Sequence, residues 1–98
     1  HFELLKTYLA NFDQVVLCGD LNTPRGGEIY DQLATMYTDN IPPDIQTTID
    51  KNLHKSGEDI RLVVDGMFTS SGYQATSCRV LSGVSDHMAV IAEIEHQP

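Results

Sequence analysis

Apolar residues near the start of the chain recur at spacings of three and four, which is the period of one helix face. They are Phe2, Leu5, Leu9 and Phe12. A short apolar run then covers residues 15–18 and ends at Gly19, which predicts a buried strand of an α/β layer. A loop from Asp20 to Gly27 follows it. Helical spacing returns after this loop, at Ile29, Leu33, Met36 and Tyr37.

The second half of the chain predicts strands. Thr38 to Gly57 is polar and irregular, and its Pro42-Pro43 pair argues against a regular helix or central strand. We therefore expect a long surface excursion over the active-site side. Three strands are predicted after it, at Arg61–Thr69, Tyr73–Leu81 and Met88–Ile94. The expected fold is α/β (α+β), with one mixed, mostly antiparallel sheet, in which these three strands form a meander, and two helices on one face.

Length and charge narrow the class of protein. A chain of 98 residues with 41% hydrophobic content has the size of one small domain. Its six basic and fourteen acidic residues give a net charge of −8, which disfavours tight nonspecific binding to nucleic acid. Cys18 and Cys78 lack the spacing of a metal motif and are too few for a disulfide framework. With neither a membrane-spanning stretch nor a signal peptide, a soluble, by default cytoplasmic, protein is expected.

Candidate chemistry lies at the strand ends and in the loops beside them. These positions hold Asp20, Asn22, Asp65, Asp86 and His87. Carboxylates with one imidazole and one amide are the groups that hydrolysis of a phosphate ester by a hard cation requires. The carboxylates bind the metal and activate water, and the imidazole and amide donate hydrogen bonds to oxygens that gain charge.

Each of these residues also has a purely structural interpretation. Gly-Asp-x-Asn after a strand is often only a turn, because Asp and Asn bond their own backbone. An Asp-His pair alone is weaker evidence still. Asp65 lies in an apolar strand, where a charge needs a partner, and that partner can serve structure or catalysis.

Three motifs in sequence order are more specific than any one of these residues. Val15–Asn22 resembles the strand ending in Gly-Asp-Phe-Asn of the endonuclease/exonuclease/phosphatase superfamily. Val64–Phe68 resembles its Ile-Asp-Tyr-Ile-Phe strand, and Ser85–Val90 resembles its closing Ser-Asp-His-x-Pro-Val. The resemblance spans about the whole chain, and it implies the C-terminal half of a four-layer α/β sandwich.

The resemblance implies a role for each candidate residue. Asp20 would orient or deprotonate the attacking water, and Asn22 would contact the phosphate. His87 would bond the scissile phosphate oxygen, and Asp65 would fix its imidazole. Asp86, together with Asp20, would lie at a Mg²⁺ or Mn²⁺ ion. The substrate would be a phosphate ester, with nucleic acid, a phospholipid head group and a small ester left open.

The chain also departs from the family pattern. Leu21 stands for the usual Phe, Ala89 for the usual Pro, and Gly66 for the usual Tyr. The earlier half of the family domain, which carries a metal-binding Glu, is not represented here. The chain also opens without Met inside a helical pattern, so we expect a partial domain over residues 1–98. Such a half should be nearly inactive alone, and it should self-associate through the apolar sheet face that its other half would cover.

Two other interpretations remain. A binding or scaffold module could keep the fold without turnover, although retention of all five residues in catalytic order favours the enzyme. A dinucleotide-binding loop at Gly19–Gly27 is a weaker alternative, because the G-x-G-x-x-G spacing is missing.

Overall fold

The computed structural model describes residues 2–53 and 61–97. Two helices and five strands follow one another along this part of the chain. They are α1 (Phe2–Leu9), β1 (Val16–Asp20), α2 (Glu28–Met36), β2 (Thr38–Asp39), β3 (Asp65–Thr69), β4 (Tyr73–Leu81) and β5 (Ala89–His96). The expected α+β class is confirmed. None of the helices in these two ranges is both long and apolar enough to cross a membrane.

The strands form two antiparallel sheets, where one sheet was expected. The first sheet has the order β1-β3-β2, and the second is the β4-β5 hairpin. The predicted meander is therefore wrong, because β3 pairs with β1 and β2 and not with β4. A turn closed by the Tyr73 amide, which donates to the Ser70 carbonyl, separates β3 from β4, and β4 pairs with β5 instead.

Strand β3 is the centre of the molecule, since all five of its residues are buried. The core around it consists of Tyr30, Leu33, Ile41, Val63, Met67 and Phe68. The rings of Tyr30 and Phe68 meet edge to face with their centroids 5.2 Å apart. The hairpin adds Cys78, Val90, Ala92 and Ile94 to the border of this core. Helix α2 and the hairpin thus cover β3 together.

Strand β1 lies at the edge of its sheet and is more exposed than expected. Val16 is 41% exposed, and only Leu17 in this strand is partly buried. The prediction of a buried strand is therefore wrong for β1, and the one buried residue of the apolar run, Val15, lies just before the strand begins. The difference arises because an edge strand has a neighbour on one side only, which a local apolar run does not reveal.

The predicted surface excursion is wrong in part, although most of its described residues are exposed or half-buried. Ile41, Thr48, Ile49 and Asp50 are all buried, and Thr38–Asp39 forms β2. The part of the excursion at 54–57 lies outside the described residues. Residues 48–50 do not form a loop over the site. They run through the interior, where hydrogen bonds pair the polar groups of Thr48 and Asp50.

Arg25 fixes the first part of this segment. Its guanidinium donates to Oδ2 of Asp39 from Nε at 3.2 Å and from Nη2 at 3.0 Å. It also donates to three carbonyl oxygens, those of Ile41, Pro42 and Ile45, at 2.7, 3.2 and 3.4 Å. Five contacts from one planar side chain bind a Pro-containing turn that has few backbone bonds of its own. The Tyr30 hydroxyl donates to Oδ1 of the same Asp39 at 3.4 Å, and burial followed by the Asp39 charge raises its pKa to about 12.

Gly66 has a structural reason that the sequence did not show. A Cβ placed there would lie 2.7 Å from the Phe68 ring and 2.8 Å from Cδ1 of Leu21. Side chains of Leu21 and Phe68 thus occupy the space in which a larger side chain at this position would begin.

We predict that Gly66→Ala lowers the free energy of unfolding by about 1–3 kcal/mol, because the added methyl overpacks a buried strand. Chemical denaturation with a single transition measures it. Gly72→Ala is the matched control: its Cβ would meet only the flexible Gln14 side chain, at 2.9 Å, and should cost less than about 0.5 kcal/mol. Equal losses in the two variants would contradict the close packing around Gly66.

Candidate active site

Two carboxylates face each other at the end of the first sheet. The antiparallel register of β1 and β3 pairs Asp20 with Asp65 directly. Side chains of directly opposed residues lie on the same face of a sheet, and two like charges there repel each other. A positive or hydrogen-bonding group between them is therefore required, and His87 supplies it.

The imidazole of His87 contacts both carboxylates. Its Nδ1 lies 2.9 Å from Oδ2 and 3.2 Å from Oδ1 of Asp65. Its Nε2 lies 3.5 Å from Oδ2 of Asp20, close enough for attraction between charges but long for a hydrogen bond. The shorter contact assigns the Nδ1 proton to the Asp65 side, which leaves Nε2 facing Asp20.

The environment of His87 favours its charged form. The hydrogen bond to Asp65 is the largest cause that raises the pKa of this imidazole above its usual value, although partial burial works in the opposite direction. The charges of Asp65, Asp20 and Asp86 add to the increase. Protonated His87 thus persists to a higher pH than a free imidazole, with an N–H at each ring nitrogen.

Asp20 has a turn contact and a site contact at once. Its Oδ1 accepts a hydrogen bond from the Asn22 amide at 2.9 Å, which is the structural role that Asp-x-Asn sequences often have. Its Oδ2 is the oxygen that faces His87. Asn22, which follows the end of β1, has a φ of 53°, a left-handed conformation that Asn adopts more readily than most residues. The Asn22 side chain is exposed beside the Asp20 carboxylate.

Asp86 is not part of this group. Its side chain is exposed, and its Oδ1 lies 3.5 Å from the Ser85 hydroxyl, which donates to it. The structure thus brings together Asp20, Asp65 and His87, with Asn22 adjacent, and directs Asp86 outward. Its charge acts on His87 through its proximity in the chain.

The donor set fits a divalent hard cation only in part. Among the described residues, Asp20, Asp65 and His87 each place one possible ligand atom within 4.8 Å of the others. Both oxygens of Asp65, however, face the Nδ1 of His87, and imidazole nitrogen is a poor ligand for Mg²⁺, which prefers an octahedral oxygen shell. This arrangement is a hydrogen-bonded acid–base group rather than a complete cation shell.

A small cavity of about 200 Å³ adjoins Asp65. Cys18, Gly66, Met67 and Met88 are among its lining residues. Pockets that enclose a small ligand usually measure about 300–1,000 Å³. The cavity beside Asp65 is therefore smaller than a typical ligand pocket.

Sequence reasoning missed two residues that build the site. Thr48 and Asp50 are both buried. The Thr48 hydroxyl accepts a hydrogen bond from the Asp65 amide, and the Asp50 amide donates one to the carbonyl of Asp86, the residue before His87. Their local sequence is polar and aperiodic, so no pattern separates them from an exposed loop. The one available signal is Ile49 between them, an apolar residue in a polar stretch.

Comparison with known proteins adds no relative, since no family model, curated protein or solved structure matches the chain.

We predict that Asp65→Asn lowers the pKa of His87, because the strongest hydrogen-bond acceptor of its charged form loses its charge. Proton NMR of the His87 ring across pH measures this. The pKa of His87 in the folded protein lies above its value of about 6.5 in the unfolded chain, so protonation of His87 stabilises the fold below pH 6.5 or so. The protein loses this stabilisation as the pH rises through the pKa of His87 in the folded state. The loss of stability over that range should therefore be smaller in Asp65→Asn.

Asp39→Asn is the control for that titration. It removes a partly buried carboxylate that binds Arg25 and does not contribute to the raised pKa of His87. An unchanged His87 titration in Asp65→Asn, or an equal change in both variants, would contradict the pairing.

Proposed function

We propose that this chain carries the acid–base residues of a divalent-metal-dependent phosphoesterase that hydrolyses its substrate by in-line attack of water. The observation that carries the proposal is one imidazole held between two carboxylates that come from different strands. A purely structural ion pair needs one carboxylate only. Two carboxylates with different exposure, Asp65 buried and Asp20 at the surface, suit two separate roles.

Each residue has a separate role in this reaction. Asp65 holds the Nδ1 proton of His87 and thereby leaves Nε2 on the side of the exposed Asp20 carboxylate. The Nε2–H donates a hydrogen bond to a phosphate oxygen, whose negative charge grows in the transition state. Asp20 accepts a proton from the attacking water, whose oxygen forms the new bond to phosphorus. The bond to the leaving oxygen breaks, and that oxygen takes a proton from solvent. Asn22 lies beside Asp20, where its amide reaches the phosphate.

A bound cation would neutralise part of the phosphate charge. It would need oxygen ligands in addition to those that the described residues supply. Asp20 is the described carboxylate best placed to contribute one. The net charge of −8 also repels a polyanion, so a small phosphodiester or a phospholipid head group suits this surface better than duplex DNA. A phosphomonoester is also compatible with the group.

One observation favours a second candidate, a binding module without turnover. The exposed Asp86 and the incomplete oxygen set leave residues 2–53 and 61–97 without a full cation site. A protein that keeps the fold for binding alone would show the same deficit.

Hydrolysis of a generic phosphodiester and of a phosphomonoester, with Mg²⁺ or Mn²⁺, separates the two functions. We expect the 98-residue chain alone to be nearly inactive, because its described residues supply too few oxygen ligands for a cation, and a form in which a further segment supplies those ligands to be active. His87→Ala should lower the rate of the active form by about 10²–10⁴-fold through loss of the hydrogen bond to phosphate.

The control variant for this assay is His96→Ala, since His96 contacts Gln14 and Tyr73 and lies outside the site. It should leave the rate unchanged. A form with the further segment that is inert toward every phosphate ester tested would reject the phosphoesterase and favour the binding module.

Self-association of the 98-residue chain remains a further proposal. The hairpin covers part of the first sheet, so the apolar surface left open is smaller than the sequence suggested. Val16 on the β1 edge and the exposed side chains of Leu4, Tyr8 and Phe12 remain. An edge strand with unpaired backbone groups is a site for pairing with a second copy.

Sedimentation velocity at increasing concentration should therefore show dimers or larger species, which Val16→Lys weakens by placing a charge on the edge. Ala34→Lys adds the same charge on an exposed position of α2 and should not weaken them. A monomer at all concentrations would reject this proposal.

A further inference from the structure

Three buried residues, 48–50, lie between the two backbone segments that carry Asp65 and His87. We call them the 48–50 segment. Thr48 is fully buried and Asp50 is 4% exposed, although both are polar. Nothing in the proposed chemistry uses either side chain directly. A buried polar group needs a hydrogen-bond partner, so the partners of Thr48 and Asp50 indicate why these residues are buried.

On one side, the segment binds the approach to β3. The Thr48 amide donates to the Leu62 carbonyl at 3.0 Å. The Thr48 hydroxyl oxygen accepts two backbone hydrogen bonds, from the Val64 amide at 3.0 Å and from the Asp65 amide at 3.2 Å. One side-chain oxygen therefore fixes the backbone of the residue that bears the carboxylate.

On the other side, the segment binds the loop that carries His87. The Met88 amide donates to the Thr48 carbonyl at 2.6 Å, and the Asp50 amide donates to the Asp86 carbonyl at 2.8 Å. Ile49 and His87 form an antiparallel bridge between these two bonds. The backbone on both sides of His87 is thus bonded to the 48–50 segment, whose Thr48 also fixes the backbone of Asp65.

The Asp50 carboxylate closes the loop itself. Its Oδ2 accepts a hydrogen bond from the Gly83 amide at 2.7 Å, and its Oδ1 accepts one from the Asn52 amide at 3.0 Å. Gly83 has a φ of 85°, so the loop reverses there in a conformation that suits glycine. A buried carboxylate on that amide anchors the start of the segment that ends at His87.

We propose that Thr48 and Asp50 are positioning residues that set the separation of Asp65 and His87. They form a rigid spacer: Thr48 fixes the carboxylate, Asp50 fixes the loop, and the backbone between them fixes the distance. Its meaning for catalysis rests on the proposed phosphoesterase function, whereas the spacer itself is a property of this chain. Misplacement of about 1 Å between catalytic groups is enough to lower a rate by about 10²-fold.

The test reads the ring of His87 directly in isotope-labelled protein. Long-range ¹⁵N–¹H correlation spectra, at a pH where His87 is neutral, show which ring nitrogen carries the proton. The unmodified chain should show the Nδ1–H form, because Nδ1 lies 2.9 Å from Asp65 and Nε2 lies 3.5 Å from Asp20. In Thr48→Val and Asp50→Asn, the Nδ1–H form of His87 should no longer predominate. In Thr48→Ser, which retains the hydroxyl oxygen, it should still predominate.

Thr69→Val is the matched control. Thr69, like Thr48, is a buried threonine, 2% exposed, but it lies at the end of β3 away from Asp65, where its hydroxyl accepts a hydrogen bond from Asn40. It should lose stability without changing the His87 tautomer. Retention of the Nδ1–H form in folded Thr48→Val and Asp50→Asn would overturn the proposal, as would its loss in Thr69→Val.

Hydrogen exchange of the unmodified chain gives an answer even where a variant does not fold. The amides of Asp65, Gly83 and Met88 should be protected together, as expected of one cooperative unit. Exchange of the Gly83 and Met88 amides at the rate of an exposed loop, with Asp65 protected, would overturn the proposal. Neither measurement uses catalysis, so loss of the tautomer in a protein inert toward phosphate esters would support the spacer and reject the proposed function.

Discussion

Burial of the Asp65 carboxylate is the constraint on which the arrangement of this molecule depends. Asp65 opens a strand whose five residues are all buried, and it is itself 8% exposed. An unpaired charge at that position would cost several kcal/mol or more, so the chain must deliver a partner to it. His87 is that partner, and the loop, the hairpin and the 48–50 segment are arranged in a way that brings it there.

The same region has a second requirement, which is that its buried backbone N–H and C=O groups have hydrogen-bond partners. Residues 61–64 approach β3 without belonging to a strand, so their backbone groups need partners from elsewhere. The Leu21 and Arg25 amides donate to the carbonyls of Val64 and Val63, at 2.8 and 2.7 Å. Thr48 supplies the acceptor for the Val64 and Asp65 amides from the opposite direction. In the described part of the chain, no buried side-chain polar atom lacks a partner.

Arg25 joins this polar interior to the apolar core. Its guanidinium binds Asp39 and three carbonyls, and it lies 5.8 Å from the centre of the Tyr30 ring. Tyr30 in turn packs on Phe68 of β3. A Pro-rich stretch with little secondary structure is thereby tied to the central strand, so the residues that follow it can serve as a spacer at the site.

The sequence by itself determined the helices, the hairpin strands and three of the residues that meet at the candidate site. Helical spacing of apolar residues is a local property, and β4 runs over Tyr73–Leu81 as the pattern predicts. Asp20, Asp65 and His87 were recognisable because each lies at a strand end or in the loop beside it. Only the tertiary structure decided how the strands divide into two sheets, that Asp20 faces Asp65, that Asp86 points outward, and that residues 48–50 are buried. Those outcomes depend on contacts between residues far apart in the chain, and a polar residue carries no local sign of whether a distant amide will make its burial favourable.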